Sequence, residues 1–209
     1  MSLTRPPRRI GLFVFILLAV LALVGIGVFF YSNTSQKTPS EEASKETTTA
    51  ETTTKEEEAV APSDPTLYLT VPKLGLYDNV VRNDVSDYSL SVGAGKITDT
   101  GFPWEKGDVN TYIACHRIGF PDTESYHQCL NLHQLQKGDE VTVKDANGRA
   151  YNYQVSESLQ VGPTDLWAAD PVEGRKMVSL QTCIENYNDF DTLGPDWNVR
   201  YIVRADQVS

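Results

Sequence analysis

The feature that most constrains the fold of this chain is a series of short apolar runs separated by turn signals. None of the runs is longer than six residues, a length typical of β-strands. An Asn-Gly pair at 147–148 separates two of them and is a strong hairpin signal. The runs are residues 67–71, 79–81, 109–114, 140–143, 150–155, 159–161, 177–180 and 199–203.

Helical patterns in the same region are slight and are limited to residues 130–135 and 164–169. Many short strands with few helices predict an all-β domain, built as an antiparallel barrel or sandwich. Residues 66–209 are long enough to form one domain with a substantial core.

Residues 10–31 form a stretch of 22 residues without a charge. At about 1.5 Å per residue, a helix of this length spans the roughly 30 Å hydrocarbon core of a bilayer. Residues 1–9 carry three arginines and no acid, which favours a cytoplasmic N-terminus. The stretch has no small-residue cleavage site, so we predict a single-pass transmembrane helix with an extracellular C-terminal domain. A cleaved signal peptide would also place the domain outside the cell membrane.

Residues 32–65 consist almost entirely of Ser, Thr, Glu, Lys, Ala and Pro. They contain no large apolar side chain beyond Val60, so they cannot form a core, and we predict a disordered linker. A flexible chain of this length reaches on the order of 30 Å, enough to hold a domain clear of the membrane.

The balance of charges excludes some classes of partner. Residues 66–209 contain 12 Lys and Arg residues against 20 Asp and Glu residues, a formal charge of −8. This argues against binding to nucleic acid and against docking onto anionic lipid. The Gly-Ala-Gly sequence at 93–95 has the wrong spacing for a phosphate-binding loop, and we predict no cofactor.

Three residues that stand at the ends of predicted strands could together make and break amide bonds. Cys183 closes one apolar run, His116 ends a second, and Arg200 opens a third. A thiolate is a nucleophile, an imidazole can move a proton, and a guanidinium is a permanently charged donor for a developing oxyanion. The alternative for Cys183 is a buried structural thiol or one half of a disulfide.

The other candidates for these roles are less well placed in the sequence. His127 and His133 lie in a polar segment and a short helix, where solvated or capping roles are expected. Arg204 shares the strand face of Arg200 by period two, and we expect it to make a peripheral ion pair.

Several motifs resemble those of sortases, the cysteine transpeptidases of Gram-positive cell surfaces. Residues 179–183 read Ser-Leu-Gln-Thr-Cys and are similar to the family's T-L-x-T-C motif, with Ser in place of the first Thr. Residues 111–117 resemble its strand that ends in A-G-H, with Cys115 where Gly is usual. Three further stretches are similar in the same order along the chain: residues 71–76, 132–141 and 200–203.

The resemblance covers residues 66–209 and implies the eight-stranded sortase β-barrel. It implies that Cys183 cleaves a C-terminal sorting motif such as L-P-x-T-G between Thr and Gly, forming a thioester. The acyl group would then pass to an amine of a cell-wall precursor or of another surface protein. The chain ends at Ser209 without a second apolar span, which favours general protein anchoring, by a housekeeping or class E-like enzyme, over pilin polymerisation.

Two other functions fit the same residues. A cysteine hydrolase of cell-wall peptides would use the same thiol and imidazole with water as the acceptor. A non-enzymatic surface β-module would use the Cys and His residues for structure alone.

Cys115 and Cys129 depart from the family pattern. In an oxidising compartment a disulfide is the first expectation, and closing a loop of about 15 residues contributes roughly 3 kcal/mol. Cys115 should point away from the His116 face of its strand, behind the site. A metal site that adds His127 and His133 would need offsets that do not share a helical face, so we predict no metal. Two buried free thiols are the remaining alternative.

Substrate contacts are assigned to four residues. Thr182 could offer its hydroxyl or backbone N–H to the site, or simply favour the strand. Trp104, Trp167 and Trp197 precede the three reactive residues in loops, where they could line an apolar groove for a peptide or pack structurally.

Overall fold

The computed structural model of the protein describes residues 60–208. The predicted transmembrane helix at 10–31 lies outside the described residues, as do residues 1–9 and most of the predicted linker. Within 60–208, no helix has the length and apolar character needed to cross a membrane.

Eight strands form a closed barrel in the order β1-β2-β3-β4-β7-β8-β6-β5, and β5 pairs back onto β1. Two neighbouring pairs, β2–β3 and β4–β7, are parallel, and the other pairs are antiparallel. This confirms the predicted eight-stranded all-β barrel. The strands are β1 (Leu67–Val71), β2 (Leu76–Arg82), β3 (Ala94–Lys96), β4 (Val109–Ala114), β5 (Glu140–Asp145), β6 (Ala150–Val161), β7 (Lys176–Ile184) and β8 (Val199–Gln207).

Helical structure in the described residues is short. The one α-helix within residues 60–208, α1 (Asp87–Val92), is capped by Ser86, whose side chain accepts a hydrogen bond from the Ser89 N–H. Sequence patterns did not predict α1, because a helix of six residues is too short to show a 3.6-residue period. Three 3₁₀ helices complete the set: Pro72–Leu74, Leu132–Gln134 and Leu166–Ala169.

Two strand predictions need correction. Residues 150–155 and 159–161 are one strand, β6, whose alternation is interrupted by an irregularity between Val155 and Glu157. A bulge of this kind inserts a residue and moves the apolar side chains to the other face, so the sequence looks like two runs. Strand β3 was missed because its three residues include a Gly and a Lys.

Alternation gives the strands that carry the candidate residues two distinct faces. Ile113, Cys115, Leu180 and Val203 belong to the core cluster inside the barrel. The residues next to them along each strand point outward. On the outer face of the barrel, a second small cluster contains Tyr112 of β4, Val161 of β6, Ile202 of β8 and Ala168. This face is buried because residues 162–175, which connect β6 to β7, lie over it.

Candidate active site

The pairing of β7 with β8 places Cys183 directly opposite Arg200. Residues opposite each other on antiparallel strands have side chains on the same face, so the thiol and the guanidinium share the outer surface of the barrel. On the other side of β7, the parallel register pairs Ala114 with Gln181. Continued by two residues, this register brings His116 beside Cys183.

The three residues line one cavity of about 360 Å³. Its walls come from the ends of β4, β7 and β8 and from the loops that follow β4 and precede β8. The lining residues are His116, Arg117, Ile118, Gly119, Phe120, Cys183, Asp196, Trp197 and Arg200. The tertiary structure therefore unites residues that are up to 84 positions apart, from 116 to 200, in the sequence.

Burial pushes the Cys183 thiol and the His116 imidazole toward their neutral forms. It raises the pKa of the Cys183 thiol, and the positive charge of Arg200 acts in the opposite direction. It lowers the pKa of the His116 imidazole, against a weaker opposing effect from the carboxylate of Asp87. A thiol and an imidazole that are both neutral at rest can exchange one proton to form a reactive ion pair.

Arg200 is held by the loop that precedes its strand. Its Nη1 donates to the backbone carbonyl of Trp197 at 2.8 Å. The same loop is tied to the end of β7, because the buried carboxylate of Glu185 accepts from the N–H groups of Asp196 and Trp197 at 3.0 and 3.2 Å. These contacts place the Trp197 ring and the guanidinium together at the cavity.

The opposite wall depends on a tight turn after His116. Gly119 has a φ of +65°, and a Cβ there would overlap the carbonyl oxygen of Ser125. Only glycine is compatible with this approach. The turn lets Phe120 meet the His116 ring edge-on, with ring centroids 5.8 Å apart.

A disulfide between Cys115 and Cys129 lies behind the cavity, with the two Cα atoms 5.9 Å apart. Both residues are buried and belong to the core cluster inside the barrel. The N–H of Cys129 also donates to the carbonyl of His116 at 3.1 Å, so the loop after β4 is fastened twice beside the imidazole. Within residues 60–208, Cys183 is the only free cysteine.

The hydroxyl of Thr182 does not face the cavity, so it is not placed to contact a substrate. Its side chain is buried on the inner face, and Oγ1 donates to the carbonyl of Cys115 at 3.1 Å. The hydroxyl therefore joins β7 to the end of β4 and does not line the cavity.

The three tryptophans have different environments. Trp197 lines the cavity, whereas Trp104 stacks on Phe102 with ring centroids 4.4 Å apart and packs against the core. Trp167 is 54% exposed on the 3₁₀ helix of residues 166–169. Neither Trp104 nor Trp167 lines a cavity of the site.

The remaining histidines also stay outside the cavity. His133 stacks on Phe190 with centroids 4.6 Å apart, and His127 stacks on Tyr126 at 3.9 Å. Among residues 60–208, no group of three or more His, Cys, Asp or Glu residues is placed to hold a metal ion. Cys129, the centre of the alternative metal set, is joined to Cys115.

A second cavity of about 300 Å³ adjoins the first, and Arg200 lines both. On its floor, the Tyr112 hydroxyl donates to Gln181 Oε1 at 2.9 Å. Sequence reasoning missed both residues, although period two places Tyr112 on the face of His116 and Gln181 on the face of Cys183. The walls are residues 97–101 on one side and residues 161–171 on the other.

The wall formed by residues 97–101 is wrapped around a buried lysine. Lys96 is fully buried, and its Nζ donates to the carbonyls of Ile97 and Thr100 at 3.0 and 2.5 Å. Burial lowers the pKa of this lysine to about 8. The carbonyl groups and the Phe102 ring, 4.0 Å from Nζ, compensate for the loss of water around the amine.

Comparisons with known proteins agree with this architecture. A family model of the sortase domain matches residues 69–208. Sortase C1 from Streptococcus agalactiae is similar with a TM-score of 0.57 and 24% identity, over 74% of this chain and 72% of that chain. Sortase C-1 from Actinomyces oris has a TM-score of 0.58 and 23% identity, over 70% of this chain and 76% of that chain.

Sortase A from Corynebacterium diphtheriae has a TM-score of 0.58 and 18% identity, over 71% of this chain and 63% of that chain. At such identities the structural likeness establishes the fold alone. No curated protein sequence is significantly similar to the chain.

A closed β-barrel with a free thiol, an imidazole and a guanidinium around one cavity has the make-up of a cysteine-dependent transferase. The match to the family model extends over most of the chain. The chain therefore belongs to the sortase family, and it is a cysteine transpeptidase.

Proposed function

We propose that the protein cleaves a C-terminal sorting motif of the L-P-x-T-G type and transfers the cleaved protein to an amine. Cys183 is the nucleophile, His116 the acid and base, and Arg200 the oxyanion donor. The observation that carries the proposal is the placement of these three side chains around one cavity, with Cys183 and Arg200 opposite each other on adjacent strands.

Acylation begins when the proton of Cys183 passes to His116. The thiolate attacks the carbonyl carbon of the motif's Thr, and a carbon–sulfur bond forms as the carbonyl oxygen becomes an oxyanion. Arg200, fixed by its bond to the Trp197 carbonyl, donates to that oxygen. The Thr–Gly bond then breaks, and His116 gives its proton to the departing amine. A thioester on Cys183 results.

Transfer reverses these steps with a different amine. The acceptor attacks the thioester and loses a proton to His116, the carbon–sulfur bond breaks, and a new amide is released. The acceptor that we propose is a cell-wall precursor or an amine of another surface protein. Water in the same position would give a carboxylic acid, which is the product of the alternative hydrolase.

The two cavities suit the two sides of the scissile bond. The acyl side of the peptide, with its apolar Leu and Pro, lies in the second cavity, whose lining includes Ile97, Val161 and Leu166. The amine side lies in the first cavity, next to His116 and Trp197. Arg200 belongs to both and faces the bond between them.

We also propose that residues 10–31 anchor the enzyme in the cell membrane of a Gram-positive bacterium, with the barrel outside. The uncharged stretch of 22 residues and the arginines that precede it support this topology. In that position the barrel meets secreted proteins as they leave the membrane.

The test uses the full-length chain, a library of sorting-motif peptides and an excess of a small amine. The wild-type chain should form a covalent acyl adduct and release an amide product, both seen by mass spectrometry. Cys183→Ala should form neither and should keep its fold, because a half-buried thiol at a strand end contributes little packing. Near wild-type transfer by Cys183→Ala would end the proposal, and acid as the product even with excess amine would favour the hydrolase.

The acid–base assignment has a matched control within the chain. His116→Ala should lower kcat/KM by about 10²–10⁴-fold, the usual contribution of a positioned proton-transfer group. His127→Asn removes an exposed imidazole outside both cavities, and Asn tolerates the positive φ of 56° found there. This control should keep near wild-type activity, and equal losses in both variants would refute the assignment.

A further inference from the structure

Residues 162–175, which we call the β6–β7 segment, form one whole side of the second cavity. The segment carries the 3₁₀ helix Leu166–Ala169 and covers the outer face of the barrel. The lining residues on which the argument depends are Leu166, Ala168, Ala169 and Asp170.

A four-residue 3₁₀ helix has little stability of its own, because so few hydrogen bonds compensate for the fixed backbone. Yet this one displays Leu166 with 79% of its surface exposed. Contacts with the rest of the protein must therefore hold the backbone of this helix in place. That support comes from the barrel.

Asn110 is the first support. It lies on the outer face of β4 and is fully buried beneath the segment. Its Nδ2 donates to the backbone carbonyls of Ala168, Ala169 and Asp170 at 3.3, 3.1 and 3.2 Å. The last carbonyls of a helix have no hydrogen-bond donors within the helix. Here the side-chain amide of Asn110 supplies the missing donor.

The orientation of the Asn110 amide is itself determined. Its Oδ1 accepts a hydrogen bond from the Ser179 hydroxyl at 2.8 Å, and Ser179 is also fully buried. Backbone carbonyls can only accept hydrogen bonds, so the amide nitrogen must face the segment, and the Ser179 hydroxyl donates to the amide oxygen on the other side.

Arg204 is the second support. This residue is 7% exposed, and its Nη2 donates to the carbonyl of Ala168 at 3.0 Å. Its Nη1 lies 3.5 Å from Glu157, so the ion pair expected from the sequence is accompanied by a charge-assisted bond to the segment. Glu157 has a closer partner in Arg175, at 2.6 Å.

The C-terminal end of the segment is fastened separately. The N–H of Gly174 donates to Asp108 at 3.0 Å, and Arg175 forms hydrogen bonds with Asp206 and Glu157 at 2.7 and 2.6 Å. A change at Asn110 or Arg204 therefore releases the middle of the segment and leaves this end in place.

We propose that Asn110 and Arg204 are positioning residues that hold the β6–β7 segment in its peptide-binding conformation before the peptide arrives. The inference rests on the proposed function, and it adds residues that touch neither the scissile bond nor the thiol. A wall already in place removes the entropy cost of ordering the segment during binding. Its loss should weaken peptide binding and leave the chemistry at Cys183 unchanged.

The test compares full-length Asn110→Ala with the wild-type chain. KM for a sorting-motif peptide should rise about tenfold, the effect of losing hydrogen bonds of ordinary strength. The value of kcat should stay within about twofold, and the rate of Cys183 alkylation by iodoacetamide, with its pH profile, should not change. Amide hydrogen exchange at Ala168 and Asp170 should become faster.

Two further variants sharpen the result. Ser179→Ala removes the bond that orients the amide but keeps the three donated contacts, so its KM should rise less than that of Asn110→Ala. Arg204→Met keeps the aliphatic stem and leaves Glu157 paired with Arg175. It should reproduce the rise in KM, and it carries the test if Asn110→Ala does not fold.

Unchanged exchange in a folded Asn110→Ala or Arg204→Met chain would overturn the inference, whether or not the enzyme turns over. Faster exchange with an unchanged KM would overturn it as well, and so would a parallel fall in kcat and alkylation rate. Absence of transfer by the wild-type chain with every peptide would defeat the proposed function instead, since alkylation and exchange are read without turnover.

Discussion

At the scale of single residues, burial shifts the pKa values of Cys183 and His116 in opposite directions. The pKa of the Cys183 thiol lies above its ordinary value, and the pKa of the His116 imidazole lies below its ordinary value. Between these two values both groups are mostly neutral, and the thiolate–imidazolium pair is a small fraction that does not change with pH. Below the imidazole pKa, the thiolate fraction decreases as the pH is lowered. Above the thiol pKa, the imidazolium fraction decreases as the pH is raised.

The pH dependence of kcat/KM should therefore be a plateau between two limbs. The acidic limb should lie lower than an ordinary imidazole would place it, and the alkaline limb higher than an ordinary thiol would place it. Arg200→Gln removes the positive charge that opposes the rise of the thiol pKa, so the alkaline limb should move upward while the acidic limb stays. Loss of the oxyanion donor should also lower kcat by about 10²–10³-fold. Rates of peptide cleavage and of Cys183 alkylation across pH 5–11 measure both effects. A downward shift of the alkaline limb in Arg200→Gln would contradict this account.

At the scale of elements, the end of β4 is the most heavily fastened part of the site. The disulfide joins Cys115 to Cys129, the Thr182 hydroxyl bonds to the Cys115 carbonyl, and Cys129 bonds to the His116 carbonyl. All of these contacts lie behind the imidazole. They hold its backbone while leaving its ring free to face the cavity.

We predict that the non-reduced full-length chain titrates as one free thiol, Cys183, out of its three cysteines. An enzyme that needs a reduced nucleophile outside the cell is safer when its other cysteines pair with each other. The double variant Cys115→Ala/Cys129→Ala should lose about 3 kcal/mol of unfolding free energy, because the disulfide closes a loop of about 15 residues. Alkylation with peptide mass mapping and urea unfolding make the measurements. Three labelled cysteines would rule out the disulfide, and protection of Cys183 would overturn the nucleophile assignment.

At the scale of the whole molecule, the predicted arrangement is a barrel on a long polar tether. Protease added to intact cells should cut within residues 32–65 and release an active fragment that begins near Thr66. A disordered tether exposes its backbone, whereas the strands of a closed barrel protect theirs. Immunoblotting of the medium and a transfer assay on the released fragment provide the measurement. Cleavage that occurs in lysed cells but never in intact ones would mean that the orientation is reversed.

Much of the barrel could be predicted because a β-strand produces a recognisable pattern of residue types within a few positions. Residues 67–71 and 109–114 were predicted with the observed bounds, since apolar and β-branched residues continue to the end of each strand. Prediction failed at β3 and α1, which are too short for a period to appear, and at the irregularity in β6, which breaks the alternation. These elements depend on their neighbours for pairing and capping.

The sequence by itself determined which residue types stand at the strand ends, and hence that a thiol, an imidazole and a guanidinium could act together. Side-chain alternation along one strand is a local property, so it also settled that Cys115 and His116 face opposite ways. The tertiary structure decided that Asn110, 58 positions from Ala168, supports a cavity wall, and that Thr182 faces inward to bind a carbonyl. Alternation along one strand does not specify which strands pair or which loop covers which face, and these depend on closure of the whole barrel.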